Sequence, residues 1–100
     1  MDPTTDFQSV LADLRAELDA LDARLVMLLK ERDDVIRQVI QQKVEHGLGP
    51  VDPEREKEML SRIEEKAASV GLEPQIATRI LRAVIEAFTD LEAKTLDSGP

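Results

Sequence analysis

Nine positions in the first half of the chain recur with a spacing that alternates between three and four: Leu11, Leu14, Leu18, Leu21, Leu25, Leu28, Arg32, Val35 and Val39. Side chains at that spacing share one face of an α-helix, and four heptads of them describe a rod. The pattern predicts one helix from about Phe7 to about Val44, roughly 55 Å long at a rise of about 1.5 Å per residue. A rod of that length is longer than a globule of 100 residues is wide, so it is expected to pack against a second copy of itself. One member of the stripe is out of place. Arg32 puts a cation where a buried apolar side chain belongs, in a chain whose formal net charge is −8.

The rest of the chain predicts two more helices. EHGLGPVD ends the first with two glycines and a proline. In DPERE, Asp52 suits the N-cap, Pro53 the first helical position, and acids follow in the first turn. Met59, Leu60, Ile63 and Ala67 mark the inner face of this short second helix. Gly71 is its expected stop and Pro74 the next start. The third helix, of medium length, carries Ile76, Ala77, Ile80, Leu81, Val84, Phe88 and Leu91 on its apolar face. With two Phe, four Gly and neither Trp nor Tyr, the inventory favours helix over strand. The expectation is one all-α domain spanning residues 1–100, with residues 1–6 and 96–100 frayed.

Composition narrows the chemistry. The chain has no cysteine, so thiolate nucleophiles, disulfides and thiolate metal sites are excluded, and a single histidine, His46, builds no histidine metal cluster. The negative charge argues against nucleic-acid binding. No apolar run is long enough for a membrane span, and MDPTTDF lacks the character of a secretory signal, so a cytoplasmic location is expected. A small anionic ligand stays compatible with this charge. A few converging cations in a dry cleft outweigh a distant, screened surface.

Arg32 and Lys43 are such cations. Eleven residues separate them, three turns plus about 20° of rotation, so they point the same way from bases roughly 16 Å apart. Two readings of Arg32 are open: an ion pair that fixes helix register, or half of a ligand clamp. Glu56 lies beside Met59 and Leu60, and its neighbour Arg55 sits in a first turn, where a cation opposes the helix dipole. Glu92 follows Phe88 by one turn on the inner edge of the third helix. Read one at a time, these acids suit a favourable first turn and a solvated helix end. Together they suggest one polar cavity bordered by all three helices. Arg15 precedes Arg32 by seventeen residues, about 25 Å along the axis and about −100° around it. Spacing alone favours a surface pair with Asp19 for this arginine.

The combination LxxLRxxLDxLDxxLxxLLxER, a lysine eleven residues after that last arginine, and PVDPERE resembles the all-helical class of chorismate mutases from about Leu11 to Glu92. The resemblance implies three helices per chain in an intertwined homodimer, and a site for a small dicarboxylate inside each bundle. It implies an enzyme that rearranges chorismate to prephenate without metal or cofactor. On this match Arg15 is lent by the partner subunit, which reverses the reading from spacing. Arg32 holds a substrate carboxylate, and Lys43 a carboxylate and the ether oxygen. Arg55 supports the carboxylate cluster, while Glu56 and the backbone near Asp52 take the ring hydroxyl. The third helix departs from the common pattern: Phe88 stands where many relatives have a serine that touches a substrate carboxylate, and Glu92 where many have a glutamine that donates to the ether oxygen. Glu92 then helps only as the protonated acid. The alternatives are mutase action on 4-amino-4-deoxychorismate, pyruvate elimination from isochorismate, and a non-enzymatic helical dimerisation module.

Overall fold

The computed structural model describes residues 3–49 and 52–97 and consists of three helices, α1 (Pro3–His46), α2 (Pro53–Ser69) and α3 (Pro74–Asp97). No strand occurs among the described residues. The first helix starts at Pro3, ahead of Phe7, and so takes in the described part of the expected frayed start. The third reaches Asp97. Met1, Asp2 and the SGP tail lie outside the described residues.

The helix ends follow local rules. The side chain of Asp52 accepts a hydrogen bond from the Arg55 backbone N–H at 3.1 Å, and Pro53 fills the first turn behind it. Gly47 and Gly71 adopt positive φ of 67° and 77°, a conformation that costs glycine nothing and reverses the chain after a helix. Around each, the following residue reaches back to close the last turn. Leu48 donates to the Lys43 carbonyl and Leu72 to the Ala67 carbonyl, both at 2.9 Å.

The chain divides into two compact units, residues 1–34 and 35–100, with the division inside α1. The N-terminal unit is a helical segment whose leucine stripe stays open: Leu14 is 49% exposed and Leu28 60%, with Leu18, Leu21 and Leu25 between these values. Leu11 and Leu29 are half-buried.

The C-terminal unit holds the core. Within it α2 packs against α3. Ile40, Ala67, Ala77 and Ile85 are buried, with Met59, Leu60, Ile63, Leu81, Val84 and Phe88 half-buried around them. Full burial of one isoleucine is worth about 1.5–3 kcal/mol, so this small cluster is a substantial share of the unit's stability.

Two faces differ from the sequence reading. The end of α1 buries Ile40 and half-buries Ile36, leaving the stripe residues Val35 and Val39 exposed. On α3, Ile85 is buried while Ile76 and Ile80 are about half exposed. A straight helix of 3.6 residues per turn drifts about 20° per heptad against a strict seven-residue repeat, so the inward face has moved round by Ile36. The apolar arc of α3 is wide, and packing against α2 selects one side of it.

Candidate active site

Lys43 sits in the last turn of α1, where the chain-reversing hydrogen bond to its own carbonyl fixes the backbone and where a cation suits the negative end of the helix dipole. Its ammonium Nζ lies 2.5 Å from Oε1 of Glu92 on α3. The two residues are nearly fifty positions apart in sequence, and the C-terminal unit brings them into direct contact.

Glu92 is the one buried charged residue among those described, 6% exposed. Its Oε1 is sealed from solvent, whereas the Lys43 side chain keeps 20% of its surface. The contact is an ion pair in character, since its angles do not make a well-directed hydrogen bond. Two charges in such a setting are coupled far more strongly than in water, and each alone would be costly to hold there. Ile40 lies one turn before Lys43, Phe88 one turn before Glu92, and Ile85 three residues before that, so apolar side chains precede the pair on both helices.

The remaining expected residues fall in several places. Glu56 is half-buried in the first turn of α2, its N–H bonded to the Asp52 carbonyl at 3.1 Å. Asp52 itself is exposed and serves as the helix cap. The Arg55 guanidinium is about half exposed and lies 3.6 Å from Glu58, which also pairs with Arg62 along the outer face of α2. Arg15 is exposed and Arg32 half-buried, both in the N-terminal unit. The structure thus joins Lys43 and Glu92 directly. A shallow groove along α2, lined by Glu54, Lys57, Glu58, Ser61, Arg62 and Glu65, includes none of the expected residues.

Ile85 is the residue near this pair that sequence reasoning passed over. The signal for it was its place three residues before Phe88 and seven before Glu92, on one helical face. No set of three or more His, Cys, Asp or Glu side chains suited to a metal ion occurs among the described residues, and no helix there is long and apolar enough to cross a membrane.

The chain has relatives of known name. It is 37% identical over 76 residues to the T-protein of Haemophilus influenzae, a match covering 76% of this chain and 20% of that protein. It is 29% identical over 87 residues to the chorismate mutase of Methanocaldococcus jannaschii, covering 87% and 88% of the two. It is also 31% identical over 85 residues to the 4-amino-4-deoxychorismate mutase of Streptomyces venezuelae, covering 85% and 82%. The chain thus spans about a fifth of the T-proteins it matches and most of the other two. Residues 14–93 match the family described as chorismate mutase type II, a match that takes in most of the chain and all the residues weighed above. This chain belongs to the chorismate mutase type II family.

Proposed function

We propose that this chain is a chorismate mutase and rearranges chorismate to prephenate in a site built by two copies. The reaction breaks a carbon–oxygen bond and forms a carbon–carbon bond inside one molecule, with no net transfer of protons or electrons. It therefore asks two things of a protein. The reacting ends must be held in contact, and negative charge growing on the ether oxygen must meet fixed positive partners away from water.

The observation that carries this reading is the Lys43–Glu92 pair. These are the two positions that the family resemblance aims at the ether oxygen, and they meet in a largely dry part of the C-terminal unit. Without ligand the two charges balance one another. With a dianion bound, the ammonium turns to the ligand, and Glu92, taking up one proton from solvent as the ligand enters, donates a hydrogen bond to the same oxygen. An ionised carboxylate there would repel the developing charge.

Arg32, and Arg15 from the second copy, hold the substrate carboxylates, since a guanidinium fork matches a carboxylate edge to edge. Arg55 gives up an exposed pair with Glu58, a contact of small worth, to brace that cluster. Glu56 and the backbone beside Asp52 take the ring hydroxyl. A second copy is favoured by the open leucine stripe of the N-terminal unit and by the exposed Ile76 and Ile80 of α3, apolar surface that a homodimer would cover.

The test is an assay of the purified protein with chorismate, 4-amino-4-deoxychorismate and isochorismate. We expect chorismate to give the highest kcat/KM, by about tenfold or more. With chorismate, Glu92→Gln, which keeps a donor to the ether oxygen, should hold kcat/KM within about tenfold of the parent, and Glu92→Ala should lower it by about 10²-fold or more. Near-normal turnover in Glu92→Ala rejects the role of Glu92. A structural dimerisation module would show no turnover and no binding of a bicyclic dicarboxylate shaped like the transition state.

A second reading has its own support. Glu56 is a half-buried carboxylate on the side assigned to the ring substituent, and an ammonium there would pair with it better than a hydroxyl. The similarity to the 4-amino-4-deoxychorismate mutase points the same way. A higher kcat/KM for the amino compound in the same assay would establish it.

A further inference from the structure

The Lys43–Glu92 pair sets a buried carboxylate against a half-buried ammonium, and the aromatic side chain one turn before Glu92 on α3 has no role in the chemistry so far. Glu92 Oε1 has no exposed surface, although the Lys43 partner remains partly open. One turn before Glu92, on the same face, is Phe88, half-buried. The chain has two aromatic residues, and the other, Phe7, is 63% exposed in the N-terminal unit. The phenyl ring is therefore the largest apolar group that the C-terminal unit sets beside its buried charge. A serine there would open space one turn from Glu92 and bring a hydroxyl that binds water.

We propose that Phe88 is a positioning residue of this site: its ring walls the Glu92 carboxylate from solvent and so keeps the Lys43–Glu92 pair dry and closed. Through Glu92 it sets where the ammonium waits before a ligand arrives and how strongly that charge is felt afterwards. Phe88 does not contact the ligand carboxylate through a polar group, having none, so its contribution is exclusion. The structural half of this inference stands on the pair alone. Its catalytic half rests on the function proposed above.

The experiment uses Phe88→Ser, Phe88→Leu and Phe88→Gln in the full chain, each also in a Glu92→Gln background. The first readout needs no substrate: the ¹H–¹⁵N signal of the Lys43 ammonium, identified by its loss in Lys43→Arg. We expect the signal in the parent and in Phe88→Leu, slowed in exchange with water, and its disappearance in Phe88→Ser. The second readout is turnover of chorismate. Phe88→Ser should lower kcat by about tenfold with KM moving less than about threefold, Phe88→Leu should stay within about threefold of the parent, and the Ser effect should vanish in the Glu92→Gln background.

Should Phe88→Ser not fold, Phe88→Gln keeps the bulk while inviting water, and it must reproduce both losses. Persistence of the ammonium signal in the polar variants overturns the proposal. So does a gain in kcat/KM for Phe88→Ser, which would mean that the position is a lost ligand contact. If the parent turns over none of the three substrates, the functional reading fails while the ammonium signal still decides the role of Phe88.

Discussion

Between Leu14 and Leu28 the chain sets out five stripe leucines at helical spacing and leaves each about half exposed. Between Ile40 and Glu92 a less regular set of apolar residues closes over a lysine and a glutamate. The strong heptad signal thus lies where the single chain buries little, and the weaker signal where it buries a glutamate against a half-buried lysine. Regular spacing gives a long continuous face, and such a face is suited to another rod. A core that shelters chemistry needs residues arriving from several helices, which breaks the period. Periodicity marks the expected assembly surface here, and departures from it mark the candidate site.

The comparison breaks most visibly if the stripe is not an assembly surface. Placing carboxylates in it, as in Leu18→Glu with Leu25→Glu, would desolvate two charges on association. We expect the dissociation constant to rise by about 10³-fold or more, with chorismate turnover lost along with the dimer. Sedimentation velocity and the mutase assay at matched concentrations check this. A fully active monomer would end both the assembly role of the stripe and the loan of Arg15 across the interface.

The next effect belongs to the other unit. Lys43→Ala removes the cation assigned to the ether oxygen and leaves Glu92 without its partner. Losses on removing one such electrostatic donor are about 10²–10³-fold in kcat, and we expect that range with the dimer intact. Near-normal turnover would reduce Lys43 to a structural partner of Glu92.

Ile40→Ala tests the closed core. Truncating a buried isoleucine costs about 2–5 kcal/mol, and the lower part of that range is expected because the cluster around Ile40 is small and free to relax. Chemical denaturation measures the loss, and the dissociation constant should stay within about threefold of the parent. Leu21→Ala should do the reverse, weakening association more than chain stability. If the two variants behave alike, the units are not distinct in the way their burial suggests.

Much of this arrangement was legible in the sequence, for identifiable reasons. The helix ends were readable because capping is local: Asp52, Gly47 and Gly71 act on backbone groups within a few residues. The oddity of Glu92 was readable as an acid on the margin of an apolar face. The phase of α3 was not, because Ile76, Ile80, Val84 and Ile85 offer apolar surface over a wide arc and only packing against α2 selects Ile85. The direct pairing of Glu92 with Lys43 was out of reach for the same reason, since it depends on how separate helices meet. Arg55 shows the converse. The resemblance assigns it to a carboxylate cluster, whereas in the structure its guanidinium lies against the carboxylate of Glu58 on its own helix.

The smallest effect separates two roles that coincide at Asp52. The family resemblance places the backbone beside it against the ring hydroxyl, while the structure has its side chain capping α2 through the Arg55 N–H. Losing such a cap costs about 1 kcal/mol, and asparagine or serine restores most of it because each offers an acceptor of similar reach. Asp52→Ala should therefore lower the unfolding free energy by about 1 kcal/mol, with Asp52→Asn and Asp52→Ser close to the parent. Because the proposed ligand contact is made by the backbone, KM should follow the cap and not the charge. Asn and Ser variants should keep the parent KM, and the Ala variant should raise it only modestly, as α2 loosens at its start. If Asp52→Asn instead raises KM as much as Asp52→Ala does, the carboxylate itself meets the ligand. The start of α2 would then belong to the chemistry of the C-terminal unit and not only to its fold.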